Sequence, residues 1–173
     1  ANNSIGSNVE RNNFDCTWQG DYGVTDTVID TIVRGDGSNP LFTAPFRIVW
    51  ANGNERQGDR CDIEGHGDYY SIAPPAGAKN HITVGALNSN DDSVTWFTSW
   101  GPTDDGRIKP DVSGPGCQTD DDQGVTSCVP GGGYATYCGT SMASPTVCGL
   151  SALLLEDFRN QFPGWPAPRN STL

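Results

Sequence analysis

The 173-residue sequence predicts an α/β fold, a three-layer α/β/α arrangement around a mainly parallel sheet. Short apolar runs rich in β-forming residues, clearest at 46–51 and 81–86, are typical of buried parallel strands. Apolar residues at three- and four-residue spacing predict one helix before the first run and another near the C-terminus. A helix followed by a strand suggests a crossover of a parallel sheet, and we expect helices on both faces.

The predicted elements follow one another along the chain. After a polar loop over 7–23, Thr25-Asp26 predicts a helix start, and Gly35 and Gly37 end that helix. The residues expected on its apolar face are Val28, Ile29, Ile32 and Val33. The strand over 46–51 runs directly into 52–55, and ligands of open parallel sheets gather at the carboxyl ends of the strands. Asn54 is therefore expected where chemistry would take place.

The last predicted helix begins within Gly-Thr-Ser-Met-Ala-Ser-Pro, residues 139–145, after a Gly-rich extended approach over 131–138. Thr140 or Ser141 is expected at its N-cap. The expected apolar stripe consists of Val147, Leu150, Leu153, Leu154 and Phe158. A serine at such a position faces the unpaired backbone N–H groups and the positive end of the helix dipole. An oxyanion formed by attack of Ser141 on a carbonyl would then be held by the Ser141 N–H.

Composition and charge exclude some classes of function. The net charge of −11 argues against nucleic acid as a partner, because a phosphate backbone would be repelled. No run approaches the roughly 18 apolar residues that a membrane span needs, and no signal peptide is recognised in the polar first residues. We therefore expect a well-hydrated protein without a membrane partner.

Six scattered cysteines favour disulfides and an oxidising, extracellular compartment, which predicts a secreted protein. Several pairings are open, and Cys117 with Cys128 is the easiest local one because a Gly- and Asp-rich loop separates them. Cys148, on the apolar helix, is the strongest candidate for a free thiol. A zinc site is not expected, because the cysteines form no C-x-x-C pair.

The segment 139–145 resembles the nucleophile motif of subtilisin-like serine peptidases, and the match continues through 146–149. Further segments resemble the family in order, at 79–86, 94–102 and 109–116, so the resemblance is collinear over nearly the whole chain. It implies that Ser141 is the catalytic serine and that the reaction is endopeptidase cleavage through an acyl-enzyme.

The same resemblance assigns the groups around the serine. Ala51-Asn52-Gly53-Asn54 matches the family's Ala-Ala-Gly-Asn, whose asparagine donates a side-chain N–H to the oxyanion, which gives Asn54 that role. Asn52 stands where the family usually has alanine, and it narrows or polarises the wall of the primary specificity pocket. Ser4-Ile5-Gly6 resembles the substrate-binding edge, where a peptide pairs as an added strand. Thr140 is expected to orient this network.

The family's catalytic Asp and His precede the oxyanion asparagine, whereas His66 and His81 both follow Asn54. The chain thus resembles the C-terminal half to two-thirds of a catalytic domain, a partial domain over 1–173 that is incomplete on its N-terminal side. Without its base the serine is a poor nucleophile, and the isolated chain is expected to be nearly inactive. The Asp and His would come from an N-terminal chain or from a dimer partner.

Two other hypotheses remain. One is a non-catalytic secreted peptide-binding module on a peptidase scaffold, and the other is a partly folded fragment whose exposed sheet edge and apolar surface need a partner. No cofactor is required by the chemistry. Calcium is expected only as a structural ion, because the family often binds it. The acidic turn over 119–122 fits no EF-hand spacing and is better explained as a solvated turn.

Overall fold

A four-stranded parallel sheet forms the centre of the computed structural model, which describes residues 1–56, 58, 60–119 and 124–170, with only the backbone at residue 64. Its strands lie side by side in chain order: β1 (Asn2–Asn3), β2 (Val49–Ala51), β3 (Ile82–Asn88) and β4 (Val112–Cys117). All three pairings are parallel, with Asn3 beside Trp50 and Ala51 beside Val84. The predicted parallel sheet is confirmed.

Among the described residues, three α-helices and a β-hairpin flank this sheet. The helices are α1 (Val9–Asn12), α2 (Val24–Arg34) and α3 (Thr140–Gln161), with short 3₁₀ turns at Cys16–Trp18 and Ile63–Gly65. Strands β5 (Val125–Val129) and β6 (Gly133–Tyr137) pair antiparallel to each other and lead into α3. In the described part of the chain, no helix is long and apolar enough to cross a membrane.

The sheet carries a core on each face, which gives the predicted three layers. On one face α2 contributes Val33, with Ile29 and Ile32 packed against it, and the sheet side contributes Ile48, Trp50, Ile72 and Ala76. On the other face α3 contributes Ala143, with Val147 and Cys148 beside it, against Val49, Val84, Ala86, Phe97 and Cys117. Alternate residues of one strand thus reach opposite faces, as the strand period of two requires.

Several element boundaries differ from the prediction. The first predicted helix, α2, begins at Val24 and not at Thr25, with Gly23 as its cap, because the Asp26 carboxylate accepts the Gly23 N–H at 3.0 Å. Val28 lies half exposed, so the buried face of α2 is narrower than expected. The strand predicted over 46–51 starts only at Val49, since Phe46 turns into solvent.

The predicted apolar stripe of α3 is not a core within this chain. Val147 packs on the sheet, but Leu150, Leu153 and Leu154 are 57%, 63% and 48% exposed. The stripe has the expected helical spacing, and the described residues place no layer over its outer half. The helix therefore presents an apolar surface to whatever lies beside it.

The disulfide expected between Cys117 and Cys128 is wrong. Cys117 pairs with Cys138, and a second bridge joins Cys16 to Cys61. Cys128 lies exposed in the hairpin opposite Tyr134, where antiparallel pairing holds it away from β4. Cys148 has a free thiol, as predicted.

Asp30 on α2 anchors the loop that leads into β3. Its carboxylate accepts the Tyr22 hydroxyl at 2.6 Å and the backbone N–H groups of Lys79 and Asn80 at 2.9 and 2.7 Å. Burial alone raises the pKa of Asp30, but these hydrogen bonds outweigh it and hold the pKa below its usual value. Because the folded-state pKa is depressed, ionised Asp30 stabilises the fold above its unfolded pKa.

Replacing Asp30 by asparagine removes this charged acceptor and should lower the free energy of unfolding by about 1–3 kcal/mol at pH 7. The difference from wild type should shrink as the pH falls below about 4 and through the depressed folded pKa. Urea titrations over a pH series measure it, and Asp21→Asn, at an exposed position before α2, is the matched control. A wild-type advantage that persisted unchanged at low pH would contradict the anchoring role.

Candidate active site

The nucleophile segment begins at a glycine where the chain turns from β6 into α3. Gly139 is the N-cap of α3, not Thr140 or Ser141 as the sequence suggested, and its φ of 156° is rarely adopted by residues with a side chain. A Cβ added at Gly139 would lie 3.4 Å from Asn54 Nδ2. The backbone conformation therefore favours glycine here, and the first turn of α3 lies next to the amide of Asn54.

Asn54 and Thr140 are joined by a compact hydrogen-bond network. Asn54 Oδ1 accepts both the Thr140 N–H and the Thr140 hydroxyl, each at 2.9 Å. The Gly53 N–H donates in turn to Thr140 Oγ1 at 3.2 Å. Thr140 is buried, with 1% of its surface exposed. Because Thr140 binds the Asn54 side-chain oxygen, the NH₂ group of the same amide points away from Thr140.

Ser141 lies beside the N-terminal strand. Its hydroxyl donates to the Ser4 carbonyl at 3.4 Å, and the Ser4 hydroxyl donates to the Ser141 carbonyl at 3.0 Å. One turn further, Ser144 Oγ donates to Asn2 Oδ1 at 2.6 Å. The start of α3 is therefore fastened to β1, and Ser141 meets the segment that the resemblance makes the substrate-binding edge.

The residues after Ser4 and after β2 face each other across a narrow space. Trp50 Nε1 donates to the Ile5 carbonyl at 2.7 Å, which fixes the edge segment while the Ile5 side chain stays exposed. Gly6 faces open space, since a Cβ added there would meet nothing within 4 Å. On the opposite side, Ala51 and Asn52 are buried at the end of β2. The structure therefore brings together all nine residues predicted for the site.

Neither histidine is brought to the serine. His81 lies at the amino end of β3, the edge opposite Asn54, where its ring contacts the Pro75 carbonyl at 2.8 Å and Thr83 Oγ1 at 3.1 Å. Burial, together with the nearby Lys109 cation, holds the pKa of His81 below its usual value. His66 packs on Tyr70, with 5.0 Å between ring centroids. Within the described residues, the Ser141 hydroxyl bonds to a backbone carbonyl and to no imidazole.

The Cys117–Cys138 disulfide is a feature of the site that the sequence reasoning missed. Cys138 lies three residues before Ser141, and the Gly139 N–H donates to the Gly116 carbonyl at 2.9 Å. A Cβ at Gly116 would lie 2.8 Å from the Gly139 carbonyl oxygen, so only glycine permits this approach. The bridge holds the nucleophile segment on the end of β4. The sequence signal that could have revealed this bridge is the position of Cys138, three residues before Ser141.

A model of the Subtilase family matches residues 1–171. The chain belongs to the subtilase family. Among curated relatives, this subtilase chain is 43% identical over 67 residues to a C5a peptidase of Streptococcus pyogenes, covering 39% of this chain and 5% of that protein. It is 38% identical over 103 residues to the serine protease AprX of Bacillus subtilis, covering 51% of this chain and 23% of that protein. The chain thus spans a quarter or less of either relative.

Solved structures support the fold assignment. The self-cleaved protease domain of PatA has a TM-score of 0.52 at 25% identity, covering 72% of this chain and 38% of that one. The PatG macrocyclase in complex with peptide has a TM-score of 0.51 at 25% identity, covering 72% of this chain and 31% of that one. The subtilase chain therefore has an incomplete subtilisin-like α/β fold.

The described residues contain no cluster of three or more His, Cys, Asp or Glu side chains that could hold a metal ion. The acidic turn considered for calcium, 119–122, lies outside the described residues except for Thr119.

Removing the Cys117–Cys138 bridge should loosen the nucleophile segment. A Cys117→Ser/Cys138→Ser variant should lose about 3 kcal/mol of stability, and its amide hydrogens at 139–141 should exchange faster. The control is Cys16→Ser/Cys61→Ser, which removes a bridge elsewhere and should leave local exchange at 139–141 unchanged. Equal exchange at 139–141 in the two variants, measured by mass spectrometry, would show that the bridge does not hold the site.

Proposed function

We propose that this subtilase chain is the nucleophile and oxyanion part of a serine endopeptidase. The observation that carries the proposal is the Asn54–Thr140 network, which fixes an amide N–H donor beside the serine at the start of α3. A serine at a helix N-terminus with a second donor next to it is the arrangement that acyl transfer requires. A peptide-binding surface alone would need neither group.

In the proposed reaction, Ser141 Oγ attacks the carbonyl carbon of the scissile peptide bond, and the electron pair of the C=O moves to oxygen. Asn54 Nδ2 and the Ser141 N–H donate to that oxyanion, while Thr140 keeps the Asn54 amide in position. The C–N bond then breaks, the leaving amine takes a proton, and an acyl-enzyme ester remains on Ser141. Water hydrolyses this ester and restores the serine.

The substrate is proposed to be a peptide or protein segment that lies along Ser4-Ile5-Gly6, with Ala51, Asn52 and Gly53 forming the other wall. The open space above Gly6 and the fixed carbonyl of Ile5 support a peptide running beside the edge. The structural relative PatG is a macrocyclase that was solved in complex with peptide, which supports a peptide ligand for this groove.

The proton of Ser141 is proposed to pass to a His–Asp pair outside this chain. His81 lies at the wrong edge of the sheet, and the Ser141 hydroxyl is bonded to a backbone carbonyl instead of an imidazole. The pair would come from an N-terminal polypeptide or from a dimer partner. The exposed leucines of α3 and the two-residue edge strand β1 offer the apolar surface and the free sheet edge that such a partner would cover.

We propose further that the protein works outside the cell and needs no cofactor, with calcium acting at most as a structural ion. The two disulfides and the C5a peptidase relative support the compartment. The net charge of −11 disfavours nucleic acid as a partner, and no membrane partner is proposed.

The alternative function is a non-catalytic peptide-binding module. One observation favours it: the Ser141 hydroxyl is engaged by the Ser4 carbonyl at 3.4 Å, as in a surface that has no use for a nucleophile. The two functions differ in whether Ser141 becomes reactive when a base is supplied.

A serine-directed fluorophosphonate, read by intact mass, tests this difference. The isolated chain should remain unlabelled, and adding the Asp- and His-bearing segment of a homologous subtilase should produce labelling that Ser141→Ala abolishes. Asn54→Ala should slow the labelling by about 10²–10³, as expected for loss of one oxyanion donor. Asn39→Ala, in the loop before β2, is the control. Leu153→Asn, on the exposed face of α3, should weaken the effect of the added segment on labelling.

Two results would overturn the proposal. Labelling of the isolated chain as a monomer, lost in Ser141→Ala, would place a working base within the chain itself. Absence of labelling in a complex that forms and still binds peptide would favour the binding module.

A further inference from the structure

A second chain segment, between β3 and β4, runs beside the loop that carries Asn54. The Ser99 N–H donates to the Gly53 carbonyl at 3.0 Å, and the Arg56 N–H donates to the Phe97 carbonyl at 3.3 Å. One of these bonds lies before Asn54 in sequence and the other lies after it. The backbone of the loop is therefore held on both sides of the residue whose amide the proposed reaction uses.

Ser99 adds two further contacts with the same loop. Its hydroxyl oxygen accepts the N–H of Glu55, the residue directly after Asn54, at 3.0 Å. Its carbonyl oxygen accepts the side-chain amide of Asn52. A Cβ added at Gly53 would lie 2.9 Å from Ser99 Oγ, so glycine permits this close approach. Ser99 thus contacts the residues that precede and follow the oxyanion donor.

Ser99 is itself held firmly in place. It is fully buried, so it acts on the loop and not on a bound peptide. On one side of it, Thr98 Oγ1 accepts the Ala86 N–H of β3 at 3.0 Å. On the other side, the Trp100 N–H donates to Ser71 Oγ at 2.9 Å. Because both neighbours are anchored, the Ser99 hydroxyl is a fixed acceptor for the loop.

We infer that Ser99 is a positioning residue for Asn54. The inference rests on the proposed function, in which Asn54 Nδ2 donates to the oxyanion. Thr140 holds the side-chain oxygen of Asn54, and Ser99 holds the backbone from which that side chain extends. An oxyanion donor acts at about 2.7–3.1 Å from the developing charge, so a small displacement of the loop lowers the rate of attack by Ser141.

NMR on the isolated chain tests the positioning without any catalysis. In the wild type, the Glu55 N–H should exchange with solvent at least about 10²-fold more slowly than in an unstructured peptide, because it is buried and hydrogen-bonded. Ser99→Ala removes the acceptor, so it should accelerate this exchange about tenfold and shift the side-chain NH₂ resonances of Asn54.

Thr98→Val is the matched control. It also removes a buried hydroxyl that accepts a backbone N–H at 3.0 Å, but that N–H belongs to β3 and not to the loop of Asn54. The exchange of the Glu55 N–H and the Asn54 resonances should therefore remain as in the wild type.

Fluorophosphonate labelling in the complex with the added Asp- and His-bearing segment gives the catalytic readout. Ser99→Ala should slow labelling about tenfold, and Thr98→Val should leave its rate unchanged. In the Asn54→Ala background, Ser99→Ala should cause no further slowing, because the donor that it positions is already lost. A merely structural role of the hydroxyl would slow labelling equally in both backgrounds.

Ser99→Cys keeps the inference testable if Ser99→Ala does not fold. Its thiol is a weaker acceptor at about the same place, so exchange and labelling should change in the same directions by a smaller factor. The wild type is informative by itself, since a Glu55 N–H that exchanged as in an unstructured peptide would overturn the inference.

Two other results would overturn it as well: Asn54 resonances that Ser99→Ala leaves unchanged, or equal slowing of labelling in both backgrounds. If the NMR changes occur while the wild-type complex is not labelled, the endopeptidase proposal falls and the support of Asn54 by Ser99 stands. If the wild-type complex is labelled and Ser99→Ala does not alter the rate, only the assignment of Ser99 falls.

Discussion

The hydrogen bonds from Thr140 to Asn54 Oδ1 are the contact on which the rest of the site depends. They join residues 86 positions apart in sequence, one following β2 and the other opening α3. Because both the N–H and the hydroxyl of Thr140 reach the same oxygen, the Asn54 amide has one orientation and the first turn of α3 has one position. Ser141 follows Thr140 directly and makes its own contacts with Ser4 next to that junction.

The parallel sheet decides which residues can take part. Strands that run in one direction end at one edge, so the segment after β2 and the nucleophile segment held on the end of β4 meet there. The same geometry places His81, at the start of β3, on the opposite edge. Asn54 and the start of α3 are consequently neighbours at one edge of the sheet, and the acid–base pair is proposed to come from outside this chain. The exposed leucines of α3 form the apolar surface that the proposed partner would cover.

The sequence predicted the parallel sheet, the layers of helices and the positions of Asn54 and Ser141, because strand runs and the residues that follow them are local patterns. It did not predict the partner of Cys117, because disulfide pairing depends on tertiary proximity, here the approach of Gly139 to Gly116. Periodicity predicted the apolar stripe of α3 but not what covers it, and Leu150, Leu153 and Leu154 lie exposed. The roles assigned to the site residues stay predictions.

A double-mutant cycle of Asn54→Ala and Thr140→Val tests the junction most directly. The free energy of unfolding of the wild type, both single variants and the double variant would be measured by urea denaturation. If the two side chains hold the end of β2 against the start of α3, their coupling energy should be about 1–2 kcal/mol. Additive effects, with a coupling within about 0.3 kcal/mol of zero, would contradict the account, because Asn54 and Ser141 would then be neighbours without a shared support.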